Sequence, residues 1–401
     1  MAVFVWKGKN RFGDDVGGER VSKSSADLTR ILRGEQITVT GVKRKGVELK
    51  IPFLTKQTVP LKELCIYSRQ LSVLIDADLP LIQSLTMLSK MTKNKFFKGV
   101  IINIRKDVEA GSTLNQAKKK YPKVFDDLYC NLVASGEQSG SLDVMLTRLA
   151  DYQEQIVKLK AQVKQAMAYP VVIFAFSIIV TIFMLWKIVP TFSRIFIELG
   201  ADMPSLTLFI LALSGFVQKY IVFIFGGLIG SVFLYRYAKT TGQGRRIIDQ
   251  AKLKMPLFGG LFEKVALSRI TRTLSTLLNG GVPMMESLKI TSSTAGNVIL
   301  ERRINESRTM VSEGSSLIDA FREKGRLPLM LTQMVGVGEA TGNLDAMLSK
   351  VADFYDNEVE TAVGALLSVL EPVLLIFVGL LIGTIVISMY LPVFSMMQQV
   401  G

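Results

Sequence analysis

Residues 136–155 read GEQSGSLDVMLTRLADYQEQ, and residues 338–357 read GEATGNLDAMLSKVADFYDN. Each copy then leads through a charged helical stretch into an apolar one. In the first, AYP at Ala168–Pro170 opens twenty nearly unbroken apolar residues and PTF at Pro190–Phe192 closes them; in the second, LEP at Leu370–Pro372 and PVF at Pro392–Phe394 do the same. Glu137 and Glu339, Asp143 and Asp345, Pro170 and Pro372, and Pro190 and Pro392 all stand 202 residues apart. Upstream, RQLSVLIDADLPLIQSL (69–85) matches RTLSTLLNGGVPMMESL (272–288) at an offset of 203, so a one-residue indel separates the two blocks. Self-similarity at a fixed offset is the mark of a duplicated unit, here a helical domain feeding a membrane span.

Composition agrees with a chain partly in lipid. Mean hydropathy is +0.35, and only 20% of the 401 residues are charged. Gln165–Trp186 is 22 residues without a formal charge, about 33 Å as a helix against a hydrocarbon core of about 30 Å. A second apolar region, Met203–Tyr235, is interrupted only by Lys219. Its preferred span is Tyr220–Tyr237, with Leu206–Val217 as an interfacial or re-entrant approach; a span beginning near Thr207 is the alternative. The third span is Pro372–Tyr390, in a tail uncharged from Pro372 to Gly401.

Lysine and arginine set the orientation. Lys158, Lys160 and Lys164 precede the first span, and Arg236, Lys239, Arg245, Arg246, Lys252 and Lys254 follow the second, whereas only Lys187, Arg194 and Lys219 lie between them. Both helical domains are expected on the cytoplasmic side, with the short loop and the C-terminus across the membrane. The opening MAVFVWKGKNRFGDD has no signal-peptide core, so the N-terminal third is expected to stay cytoplasmic.

The expected fold class is an all-α integral membrane protein: two homologous antiparallel bundles of about six helices each, three membrane helices and a small α/β N-terminal extension. The boundaries are 1–55 for the extension, 59–168 for the first bundle, 169–190 for the first span, 191–218 for the far-side segment, 219–237 for the second span, 238–369 for the second bundle, 371–391 for the third span and 392–401 for the tail. In the extension, Val3–Lys7 alternates like a strand, Gly13–Gly18 is turn-rich, Ser24 or Ser25 opens a helix ending at Gly34, Ile37–Val42 is β-like and Lys43–Lys50 is a basic linker. In the first bundle, Leu61, Leu64, Leu71, Leu74 and Ile75 mark one buried helix face. Asp76–Leu79 breaks that helix, Pro80 suits a first helical position, and Gly111–Ser112 and Gly314–Ser315 read as C-terminal glycine followed by N-cap serine.

Several chemistries have no residues to carry them. With no histidine, Ser-His-Asp and Cys-His catalysis and imidazole-ligated metals are out. No phosphate-binding glycine loop is present. Cys65 and Cys130 lack metal or redox spacing and read as buried residues in a reducing compartment. Much of the +14 net charge flanks membrane segments, and no basic stretch is interleaved with aromatics, which argues against nucleic acid. No catalytic residue, cofactor or metal is expected.

In the repeated motif, Ser141 and Asn343 are N-cap candidates, and Asp143 and Asp345 fall in the first helical turn, where the dipole favours an acid. Glu137 and Glu339 recur without such a role, as do Arg69 and Arg272. The favoured reading pairs Arg69 with Glu137 and Arg272 with Glu339 inside each bundle; the other makes the acidic turn a partner-docking or divalent-ion site, although two acids under-fill a calcium shell. Lys187 reads as snorkelling beside Trp186. Pro170, Pro190, Pro372 and Pro392 mark the helix–membrane junctions.

The paired motifs, each followed by a Pro-initiated span, resemble the inner-membrane platform proteins shared by bacterial type IV pili and type II secretion systems, the F-domain family, over residues 59–401 and most closely the pilus members. DAD at 76–78 in place of the NGG of 279–281 is the one departure, and bears on the geometry of the first turn. The resemblance implies a homo-oligomeric, lipid-embedded platform in the bacterial inner membrane, non-enzymatic, engaged by a cytoplasmic hexameric assembly or retraction ATPase, by pilin subunits and by inner-membrane alignment proteins. A type II secretion platform is the nearest alternative; a small transporter or channel, or a scaffold without a motor, are the others.

Overall fold

A computed structural model describes residues 2–9, 15–22, 24–34, 37–44, 58–198 and 203–400. The chain forms two compact units, Met1–Thr58 and Val59–Gly401.

In the first unit, strands β1 (Ala2–Lys9) and β2 (Asp15–Ser22), helix α1 (Ser25–Gly34) and strand β3 (Thr38–Arg44) make an antiparallel sheet in the order β2-β1-β3. Ser24 is the N-cap, its hydroxyl accepting from Asp27 N at 3.1 Å. Leu28 and Leu32 of α1 bury against Phe4. Two readings change. Asp15–Gly18 is strand and not turn: Gly18 pairs with Trp6, and a Cβ there would lie 3.4 Å from the indole. Lys43 and Arg44 belong to β3, paired with Val5 and Phe4; positions 10–14 and 45–57 lie outside the described residues.

The second unit contains the repeat. Helices α2 (Leu61–Asp76), α3 (Leu81–Met91), α4 (Lys95–Glu109), α5 (Leu114–Lys119), α6 (Asp127–Ser139) and α7 (Leu142–Phe183) form the first bundle. Helix α7 passes through Pro170 into a π-helical turn (Met184–Ile188) and on into α8 (Val189–Glu198). Helices α9 (Ser205–Thr240) and α10 (Gly242–Lys254) lead to the second bundle, which repeats the order: α11 (Gly259–Asn279), α12 (Met284–Thr294), α13 (Val298–Ser312), α14 (Leu317–Ala320), α15 (Leu329–Thr341) and α16 (Leu344–Val400). Each bundle therefore has six helices, the last of which runs on into a candidate membrane span.

Local chemistry sets the joints, in places one residue from where the sequence suggests. Pro80 is the N-cap of α3, its carbonyl accepting from Ser84 N at 2.9 Å. Ser112 and Ser315 do not cap. They follow the left-handed Gly111 (φ 93°) and Gly314 (φ 96°), and their N–H groups close the preceding helices onto Asp107 O (3.0 Å) and Met310 O (3.1 Å). The caps are Thr113, in a capping box with Gln116, and Ser316, which accepts from Asp319 N. The DAD turn keeps the geometry of NGG, since Asp78 (φ 57°) and Gly281 (φ 73°) are both left-handed.

Among the described residues, three apolar helices are long enough to cross a bilayer. They pack where Leu185 and Val189, Ile210 and Val217, and Ile385 meet. Helix α9 is unbroken from Ser205 to Thr240, so the expected separation of an approach at 206–217 from a span at 220–237 is absent. Apolar contacts explain why: Ile210 and Val217 are buried against the neighbouring helices, and Thr207 donates to Ser388 O at 2.6 Å. The π-turn frees carbonyls that α9 satisfies, with Ser214 donating to Leu185 O and Gln218 to Trp186 O.

Candidate functional site

The repeated ions are the candidate site, and they are not paired as the sequence suggests. Glu137, on α6, turns to the N-terminus of α5: its carboxylate accepts from Leu114 N and from Asn115 N (3.1 Å). Glu339 repeats this on α14, accepting from Leu317 N at 3.0 Å and Ile318 N at 3.2 Å. With the Thr113–Gln116 capping box all four orphan N–H donors of α5 are satisfied, and with the Ser316 cap three of the four of α14. A carboxylate at a helix N-terminus is also favoured by the dipole. Both oxygens are spent on N–H groups whose positive ends would repel a cation, which weighs against the divalent-ion reading.

The arginines go to the long helices instead. Arg69 donates through Nε to Glu154 (2.6 Å) and through a terminal nitrogen to Asp151 and Glu154. Arg272 donates to Asp353 (2.6 Å) and Asp356 (2.7 Å). The hydrogen bonds to Glu154 and Asp151 hold the Arg69 guanidinium more firmly charged, and that to Arg69 draws the Glu154 carboxyl down. Burial opposes the charge on Arg272, but the bonds to Asp353 and Asp356 outweigh it. Each arginine thus clips the first helix of its bundle to the element that enters the membrane. Asp151 and Asp353, and Glu154 and Asp356, stand at the 202 offset with a three-residue spacing in both copies, a repeat signal the motif-level reading passed over.

The GE-x-x-G turn has a packing role. A Cβ on Gly136 would come within 3.0 Å of Leu142 Cα, and one on Gly338 within 2.8 Å of Leu344 Cα, so the two helices touch backbone to backbone. Gly140 (φ 69°) and Gly342 (φ 73°) supply the left-handed turn between them. Ser141 occupies the N-cap position without a side-chain capping bond; its hydroxyl meets Ser139 at 2.6 Å. Asn343 directs its amide to Thr341 O at 3.4 Å. Asp143 and Asp345 lie in the first turns of α7 and α16.

The bundles also contact one another. Leu277, Val282 and Ile290 of the second join the core of the first. Ser135 donates to Gly280 O at 2.6 Å, Arg148 to Asn279 O, and Tyr152 meets Thr273 at 3.1 Å. A Cβ on Gly280 would fall 2.7 Å from Leu132 Cδ2. The glycine in NGG therefore answers to this seam, which its counterpart Ala77 does not share.

One buried group has no parallel in the second copy. Lys118 is fully buried among Tyr67, Phe125 and Tyr129, with its ammonium 4.5 Å from the Tyr129 ring centroid and donating to Tyr129 Oη at 3.1 Å. Burial pushes it down to about 7, against weaker upward pulls from Cys130 and Glu137. The 203 offset places Phe321 at its position in the second bundle, also fully buried.

The duplicated unit is one that a known family matches twice. The family described as Type II secretion system (T2SS), protein F matches residues 67–190 and again 270–392. The chain belongs to this family. The two matched stretches open near Arg69 and Arg272 and close at or beside Pro190 and Pro392. The chain is 38% identical to the "Type IV pilus assembly protein PilC" of Myxococcus xanthus, over 98% of this chain and 95% of that protein. It is 39% identical to the protein of the same name from Thermus thermophilus, over 98% of each. The "Type II secretion system protein F" of Pseudomonas aeruginosa is 29% identical over the whole of both.

Proposed function

We propose that this chain is the inner-membrane platform protein of a type IV pilus assembly machine, coupling a cytoplasmic assembly or retraction ATPase to the insertion or removal of pilin. The observation that carries the reading is the continuity of α7 and α16, each of which leaves its bundle and enters a candidate span without a loop. Proline inside a helix removes a hydrogen bond and bends it without making it floppy. A push on a bundle therefore reaches the membrane through one stiff element, which the Arg69 and Arg272 clips tie to the rest of the bundle. In this reading both bundles and the N-terminus are cytoplasmic, as the lysine and arginine bias favours, the second span lies within α9, and the C-terminus is periplasmic. The chain acts as a passive homo-oligomeric transducer that hydrolyses no ATP; motor, pilin and alignment proteins meet it from their own sides. Pilus work is favoured over secretion by the higher identity to the pilus proteins.

Cells lacking this chain provide the test. The wild-type chain should restore surface pili. A flexible Gly/Ser insertion between Ala168 and Tyr169 should leave binding of the assembly ATPase intact and abolish piliation. Normal pili with that insertion would defeat the rigid-transmission reading, and restoration of protein secretion without pili would move the chain to the secretion branch.

A further inference from the structure

A cavity of about 460 Å³ opens between α7 and α11 at the membrane-proximal end of the bundles. Its wall is almost wholly apolar and runs along α7 from Ile156 to Val171, a rise of about 22 Å of helix. Val171 lies one residue past Pro170, within the first candidate span, and is exposed. Three cations also line it, Lys160, Lys164 and Arg269, and no carboxylate does. None of the three has an ion-pair partner among the described residues; Lys160 and Arg269 also line an adjoining cavity with Asp126 and Asp127, of which Asp126 is occupied in capping α6. Burial and then the neighbouring Arg269 charge lower the Lys160 ammonium, so these two cations repel one another.

The matching positions in the other copy carry no charge. The positions matching Lys160 and Lys164 are Ala362 and Leu366, and the position matching Arg269 is Ile66. An apolar slot that reaches the bilayer edge and carries an unneutralised cationic rim has the chemistry of one occupant. We propose that this groove is a binding site for one anionic phospholipid, an acyl chain lying along Val163, Met167 and Val171 and the phosphate meeting Lys160, Lys164 and Arg269. A seated lipid would brace α7 against α11 directly below the first span.

The test uses the full chain in detergent, with lipid retention read by native mass spectrometry. Phosphatidylglycerol should be retained in preference to phosphatidylcholine of the same acyl chains. Each of Lys160→Gln, Lys164→Gln and Arg269→Gln should lower that preference about fivefold. Ala168→Trp, which fills the groove and leaves every cation in place, should abolish retention, and glycerol phosphate should not compete at concentrations matching the lipid. Equal retention of both lipids, retention unchanged in the Gln variants or in Ala168→Trp, or competition by glycerol phosphate would each overturn the proposal. So would efficient disulfide formation between copies carrying Ala168→Cys in vesicles, since the groove would then be covered by a second copy of the chain.

Discussion

Replacing Lys118 by methionine should stabilise the first bundle at mildly acidic pH and remove most of its pH dependence near neutrality. The ordinary lysine value of 10.5 falls to about 7 in the fold because burial disfavours the charged form. Between these values the unfolded chain holds a proton that the folded chain does not, so stability rises with pH; the contribution is complete above 10.5 and lost as pH falls through about 7. Linkage between the two values makes folding about fifteenfold more favourable at pH 8.5 than at pH 7. Below pH 7 the buried charge costs up to about 5 kcal/mol, of which the Tyr129 hydrogen bond and the ring contacts return about 1 to 2. Lys118→Met should therefore gain about 3 to 4 kcal/mol at pH 6. The assay is native-state labelling of Cys130, buried on the neighbouring helix, with the rate corrected for the reactivity of an exposed thiol. Cys130 is itself pushed up to about 11 by burial and works in the opposite sense, but mainly above its ordinary value of 9.0, outside the pH 7–8.5 window. An unchanged pH slope in Lys118→Met, or faster labelling of the variant at pH 6, would refute the reasoning and mean that the ammonium is held charged in its cage.

A double-mutant cycle between Arg69 and Glu137 should give a coupling within about 0.5 kcal/mol of zero, whereas Arg69 with Glu154 and Arg272 with Asp356 should each couple by about 0.5 to 1 kcal/mol, as partly exposed pairs do; chemical denaturation of the purified protein checks both. Glu339→Ala should cost about 1 to 3 kcal/mol by unsatisfying the start of α14, and hydrogen exchange should show Leu317 and Ile318 losing protection. Gly280→Ala should cost about 1 to 3 kcal/mol by pressing on Leu132 across the seam, while Ala77→Gly stays within about 1 kcal/mol; equal effects would remove the seam as the reason for the glycine. Reporter fusions after Lys120 and Lys324 should read as cytoplasmic and those after Ser205 and at Gly401 as periplasmic, and a cytoplasmic Gly401 fusion would sink the proposed topology.

Within the candidate site, much was written in the repeat but not in the motif. The acids at 151, 154, 353 and 356 recur in both copies, and setting Lys118 against Phe321 marks that lysine as a core position within what looks like a solvated KKK run. The far reach of Glu137, from α6 back to Leu114, had no such marker. It joins residues 23 apart through the angle at which two helices meet, and helical periodicity carries no information about that angle.

By itself the sequence determined the duplication, the six-helix order of each bundle and the apolar helices that follow, because hydrophobic period, glycine and proline joints and uncharged length are local properties. Tertiary structure alone decided which carboxylate each arginine takes, why Gly280 replaces Ala77, and that α9 runs unbroken from Ser205 to Thr240. Those outcomes depend on how packed helices are rotated and spaced against one another. A displacement of one helical residue turns a side chain through about 100°, enough to exchange a salt-bridge partner for a helix cap.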